Sequence, residues 1–116
     1  MNRVKSIGTS LQTEPNIEAT IKLLITARKE HRSIARLPDE LRPVSAEAGY
    51  VLQEALMLAL GKIPVGWKVA CTNLAVRKLM QTDEPFAGPL FASMLHTSPA
   101  ALPTTQFNMR MVEGEL

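Results

Sequence analysis

From Ile17 onward, apolar residues fall at Ile17, Ile21, Leu24 and Ile25, the i, i+4, i+7, i+8 spacing of a single helical face. Thr13 or Asn16 supplies the N-cap of this first predicted helix, and Arg28, Lys29 and His31 lie near its end, where basic groups oppose the negative end of the helix dipole. Leu37 to Val44 contains Pro38 and Pro43 and reads as a connector, because proline removes a helical donor and biases the residue before it away from the helix. A second helix is predicted from an N-cap at Ser45, with Glu47 in its first turn. Its apolar stripe comprises Ala48, Val51, Leu52, Ala55, Leu58 and Ala59, is widened by Leu56 and Met57, and ends at Gly61.

After Pro64 the period changes. Val65 to Thr72 reads as a strand, Thr72 or Asn73 caps a short helix reaching Met80, and Pro85 to Leu90 reads as a turn around Gly88. Leu90 to Leu95 and Gln106 to Leu116 are strand-like, separated by a Ser98 to Thr105 loop with Pro99 and Pro103. In the last of these, Phe107, Met109 and Met111 alternate with Asn108 and Arg110. No internal repeat or low-complexity tract breaks the pattern. The expectation is an α+β fold with a helical half over residues 1–64 and a β-rich half over residues 65–116.

A chain of 116 residues holds one domain's worth of core. The net charge of +2 comes from basic residues dispersed among acids, and aromatic residues make up 4% of the chain, so neither an electrostatic footprint for nucleic acid or a membrane surface nor a base-stacking platform is expected. The single cysteine, Cys71, excludes an internal disulfide and suits a reducing cytoplasm; as a side chain it reads as a small buried hydrophobe. Met1 to Ser10 carries Arg3 and Lys5 without an apolar run behind them, unlike a secretory signal. No apolar run approaches the roughly 20 residues of a membrane span.

Candidate chemistry concentrates in the back half. Side chains two apart on a strand share a face, so Glu113 and Glu115 would stand together, and two carboxylates side by side call for a cation between them. A hard divalent ion, Mg²⁺ or Mn²⁺, answers that need, with at least one further acid to complete its ligands. The plainer alternative is an acidic terminus pointing into water. Lys68 lies among the uncharged residues Gly66, Trp67 and Val69, where desolvation would fit it for proton transfer and an edge-strand position would make it a guard against aggregation. Trp67 reads as a core anchor. Asp83 and Glu84 are ordinary turn acids, and His96 has no second histidine at a zinc-ligand spacing. A final strand without neighbours leaves a pairing edge open, so self-association into a homo-oligomer is expected.

The run Gly66-Trp67-Lys68-Val69, then Cys71-Thr72-Asn73, Asp83-Glu84-Pro85-Phe86-Ala87-Gly88-Pro89-Leu90 and Val112-Glu113-Gly114-Glu115-Leu116 resembles the 2-keto-4-pentenoate hydratase branch of the fumarylacetoacetate hydrolase superfamily. The helix over Ile17 to Arg36 and the segment Gly49-Tyr50-Val51-Leu52-Gln53 resemble the helical front of those hydratases and of the related oxalocrotonate decarboxylases. The resemblance implies a helical half followed by the start of a mixed β-roll, truncated before the rest of the roll. It implies Glu113 and Glu115 as ligands of Mg²⁺ or Mn²⁺, Lys68 as the catalytic lysine, and a small 2-oxo acid as substrate. The implied reaction is addition of water to 2-hydroxypenta-2,4-dienoate-type acids in aromatic-compound degradation; 2-oxo acid decarboxylation, acylpyruvate hydrolysis, or a non-catalytic fragment are the alternatives. In one place the chain departs from the pattern: several hydratases carry an acid directly after the proline, where this chain has Phe86.

Overall fold

The computed structural model describes residues 16–115. Three helices, α1 (Ile17–Lys29), α2 (Ala46–Ala59) and α3 (Leu74–Met80), and two strands, β1 (Gly66–Ala70) and β2 (Phe86–Leu90), alternate as ααβαβ, with single 3-10 turns at Asp39–Leu41, Ala92–Met94 and Thr104–Gln106. The fold is α+β, as the pattern predicts. Thr13, the Met1 to Ser10 segment and Leu116 lie outside the described residues.

Each helix begins on a side-chain cap. Asn16 Oδ1 accepts from the Ala19 N–H at 3.0 Å, Ser45 Oγ from Ala48 at 3.1 Å and Asn73 Oδ1 from Val76 at 2.9 Å, each satisfying a donor that the first turn leaves without a partner. Each helix also ends on a left-handed residue: His31 (φ 49°), Gly61 (φ 61°) and Gln81 (φ 54°). The amides that follow reach back to close the last turn, from Arg32 to Ala27, Lys62 to Met57 and Thr82 to Arg77. Glycine takes this conformation without strain, whereas histidine and glutamine do so against a steric cost. His31 is thus the residue that turns the chain out of α1, a role beyond the surface charge its sequence position suggests.

The helices pack less symmetrically than their stripes imply. On α1 the buried positions are Thr20 and Ala27, while Ile17, Ile21, Leu24 and Ile25 are half-buried. Thr20 is fully buried; its hydroxyl lies 2.9 Å from the Asn16 carbonyl and 3.2 Å from that of Leu41, and shares its proton between them, fastening α1 to the Asp39–Leu41 turn. On α2 the stripe centres on Leu52, with Leu56 and Met57 beside it, and Val51 and Leu58 remain 53% and 76% exposed.

β1 and β2 pair antiparallel, Gly66 opposite Leu90 through Ala70 opposite Phe86, with Lys68 opposite Gly88. The predicted turn over Pro85 to Leu90 is therefore a strand. It accommodates Pro89 because Ala87, two residues earlier on the same side of the backbone, turns its N–H and C=O away from β1; the missing proline donor falls on the same outward edge. That edge is met by α2. The Tyr50 hydroxyl accepts from the Ala87 N–H at 3.0 Å, and Gln53 Nε2 donates to the Ala87 carbonyl at 3.0 Å. Two side chains one helical turn apart thereby do for β2 what a neighbouring strand would do.

The other two predicted strands do not form. Leu90 to Leu95 contains the Ala92–Met94 turn, and beyond Thr104–Gln106 the chain runs to Glu115 without regular secondary structure. Alternation prepares a strand but only a ladder makes one, and β2's outer edge is already occupied by α2. Among the described residues no helix is long and apolar enough to cross a membrane.

Candidate active site

Lys68 occupies the middle of β1, with Trp67 and Val69 on either side. Its ammonium forms an ion pair with the Glu115 carboxylate, joining positions 47 residues apart. The candidate proton-transfer group and one candidate metal-binding carboxylate are thus in direct contact. Their side chains are 47% and 53% exposed, so the contact is open to water and the shielding suggested by the apolar neighbours of Lys68 is not provided by the described residues. Trp67 is 52% exposed and Val69 51%, so Trp67 is a surface residue here, not the core anchor its size suggests.

Glu113 is exposed and lies outside any strand, so the expected same-face display of Glu113 and Glu115 on a ladder is not formed. Among the described residues no three of His, Cys, Asp and Glu gather closely enough to hold a metal ion. Two carboxylates, one of them engaged by Lys68, are hard donors of the right chemistry for Mg²⁺ or Mn²⁺ and do not by themselves make a centre.

The remaining candidates separate. Cys71 is buried directly after β1 in a left-handed conformation (φ 59°) and leads the chain to the Asn73 cap of α3. His96 is exposed after the Ala92–Met94 turn. Asp83 and Glu84 sit in a turn held by the backbone: the Arg77 guanidinium donates to the Asp83 carbonyl at 3.1 Å and the Thr82 hydroxyl to that of Glu84 at 2.9 Å. Glu84 and Phe86 then help line a cavity of about 310 Å³ against Tyr50 and Gln53. Phe86, directly after Pro85, presents an apolar wall to this space where an acid would have offered a carboxylate. A larger hollow, about 740 Å³, lies between α1, α2 and β2, with an apolar lining that includes Leu52, Leu56 and Phe91, and Arg28, Lys29 and Lys62 as its charged residues. Lys62 Nζ stands 5.2 Å from the Phe91 ring centroid.

At the start of α2, the Glu47 carboxyl is held below the usual carboxylate range, first by its own backbone N–H and then by the Ser45 hydroxyl. The bracket of Tyr50 and Gln53 on Ala87 is what sequence reasoning missed. Its signal was present in the Gly49 to Gln53 segment, where two side chains with polar ends, Tyr50 and Gln53, stand three apart and so on one side of the helix.

Curated proteins similar to this chain share one name. Two 2-keto-4-pentenoate hydratases of Dechloromonas aromatica (strain RCB), designated 1 and 2, are 40% and 39% identical over 80 residues, which is 66% of this chain and 30% of each relative. The 2-keto-4-pentenoate hydratase of Burkholderia vietnamiensis (strain G4 / LMG 22486) is 29% identical over 109 residues, 91% of this chain and 42% of the relative. The chain thus spans less than half the length of the relatives it matches. No protein-family model matches it, and no solved structure does. The similarity covers 66–91% of this chain and 30–42% of each relative, consistent with a chain that resembles part of a 2-keto-4-pentenoate hydratase.

Proposed function

We propose that this chain carries the front part of a divalent-metal-dependent hydratase of the cytoplasm, acting on a small 2-oxo acid of aromatic-compound degradation. The observation that carries the reading is the Lys68–Glu115 ion pair, which joins the two motifs of the resemblance across the fold. The names of the relatives support the reaction class.

The chemistry such a site must perform follows from the substrate. In 2-keto-4-pentenoate the C4=C5 bond is isolated from the ketone and not electrophilic. Loss of a proton from C3, which is acidic because it lies next to the carbonyl, and gain of one at C5 give the conjugated 3-enoate. Water then adds at C4 with a proton returned to C3, giving 4-hydroxy-2-oxopentanoate. Both stages pass through negative charge on the C2 oxygen. Lys68 would move the proton or balance that charge as an ammonium. Glu113 and Glu115 would be two ligands of a Mg²⁺ or Mn²⁺ ion, which when bound supplies electron withdrawal at the 2-oxo acid. Among the described residues no further acid gathers with them.

The test is turnover of 2-hydroxypenta-2,4-dienoate, followed as loss of diene absorbance and appearance of 4-hydroxy-2-oxopentanoate by NMR. The protein is assayed with Mn²⁺, alone and after co-expression with the back part of a Dechloromonas relative. Turnover in either preparation that Lys68→Ala abolishes supports the reading. No turnover in both, with oxalocrotonate and an acylpyruvate equally inert, overturns it and favours a non-catalytic fragment.

A further inference from the structure

By strand alternation Phe86, Gly88 and Leu90 of β2 share one face of the sheet with Gly66, Lys68 and Ala70 of β1, and the register sets Gly88 directly opposite Lys68. A glycine in the middle of a strand weakens it, having no side chain to pack and more backbone freedom to lose. Three local reasons for keeping one fail at Gly88. Its backbone is not left-handed, for among the described glycines only Gly61 has a positive φ. The ladder runs from Gly66–Leu90 to Ala70–Phe86 without a bulge. Nor does a neighbour exclude a side chain, since a Cβ on Gly88 would meet no atom of the described residues within 4 Å. Gly66 differs, because a Cβ there would lie 3.8 Å from Leu90 Cδ1, in ordinary contact with the partner strand.

What remains is close approach, by a ligand or by other backbone. The position on the face favours the ligand. Other strands join a sheet at its edges, and a second sheet packs on a face about 10 Å away through interdigitating side chains, so a covering sheet calls for a side chain here and not for the lack of one. The gap also adjoins the one ionisable group of this face. Lys68 stands across from it with its ammonium engaged by Glu115, and the lysine stem does not fill the space. Phe86 and Leu90 stand one alternation step to either side on the same strand. The result is a notch with bare backbone as its floor, two apolar side chains as its walls and an amine at its rim.

We infer that Gly88 is a specificity-determining residue of the proposed site: its bare backbone admits the flat hydrocarbon chain of a conjugated 2-oxo acid to the Lys68 side of the sheet, between Phe86 and Leu90. The inference rests on the hydratase reading of Lys68. Selection at Gly88 is by shape and not by charge, since the lysine charge is already met by Glu115. An unbranched planar chain lies in the notch; a side chain at position 88, or a branch on the acid at the same point, competes for the same space.

The experiment compares Gly88→Ala and Gly88→Val with the parent in whichever preparation turns over 2-hydroxypenta-2,4-dienoate, reading kcat, KM, the inhibition constant of 2-oxopentanoate and the thermal midpoint. KM and the inhibition constant should rise together, at least about fivefold in Gly88→Ala and further in Gly88→Val, with a smaller effect on kcat. The Gly88→Ala midpoint should stay at or above the parent's, because the added Cβ meets nothing and alanine loses less freedom in a strand. Constants unchanged in both variants overturn the inference and leave the hydratase reading standing. A lowered Gly88→Ala midpoint with unchanged constants does the same, and would mean that another part of the protein packs over Gly88. If no preparation turns over the dienoate, 2-oxopentanoate titrated against ¹³C-labelled lysine decides. No response at Lys68 overturns the hydratase reading and the inference together, a response that both variants keep overturns the inference alone, and one that Gly88→Ala weakens supports it.

Discussion

The grip of α2 on β2 yields a sharp test, because both contacts fall on one residue. Tyr50→Phe deletes the hydroxyl that accepts from the Ala87 N–H, and Gln53→Leu deletes the donor to its carbonyl, each now at 3.0 Å. A protein hydrogen bond contributes about 1 kcal/mol net, and the stranded partner costs more only where water cannot reach it. Ala87 is half-buried and Tyr50 is 43% exposed, so water replaces the lost group and each variant sits at about 1 kcal/mol. That is about a fivefold increase in exchange of the Ala87 amide. Once one contact is lost the strand end moves and the second is weakened with it, so the double variant should fall short of the sum by about 0.5 kcal/mol. Hydrogen exchange on the labelled protein reads Ala87 directly, with Lys68 and Ala70 as internal references for the β1–β2 ladder. An Ala87 rate unchanged in Tyr50→Phe would refute the claim that the tyrosine hydroxyl holds this edge, and strict additivity would refute the claim that the two side chains hold it together.

Three further outcomes are expected. His31→Gly and Gln81→Gly should each raise the thermal midpoint, since each relieves a left-handed conformation that costs a side-chain-bearing residue about 1 kcal/mol, while Gly61→Ala should lower it; thermal unfolding followed by circular dichroism decides the signs. Glu47, with its carboxyl held below the ordinary range, adds stability that is present above the unfolded-state value and is lost as pH falls through the folded one. Glu47→Gln should therefore lower the midpoint slightly at neutral pH, flatten that part of the midpoint-against-pH curve on the acid side, and converge with the parent once the carboxyl is protonated in both the folded and the unfolded state. Lys68→Met should free Glu115 and tighten Mn²⁺ binding, by at most about fivefold because an exposed ion pair is worth no more than about 1 kcal/mol; calorimetric titration showing weaker binding would mean that the carboxylates do not hold the ion.

The elements that sequence made legible are those whose instructions are local. Asn16, Ser45 and Asn73 cap the helices predicted from them, and Gly61 ends α2 as its position implies. The strand around Lys68 was visible from its unbroken uncharged run and is trimmed to Gly66–Ala70. What failed depended on partners distant in the chain. Gly88 and Pro89 argued for a turn, and nothing in Pro85 to Leu90 discloses that α2 would satisfy the outward groups of Ala87 and so let a proline-bearing strand stand at an edge. Phe107 to Met111 has the alternation of a strand, and no ladder reaches it. His31 and Gln81 were opaque for a different reason: a left-handed residue without glycine leaves no compositional mark. In the candidate site, the type of residue was readable at Lys68 and Glu115, and their contact across 47 positions was not.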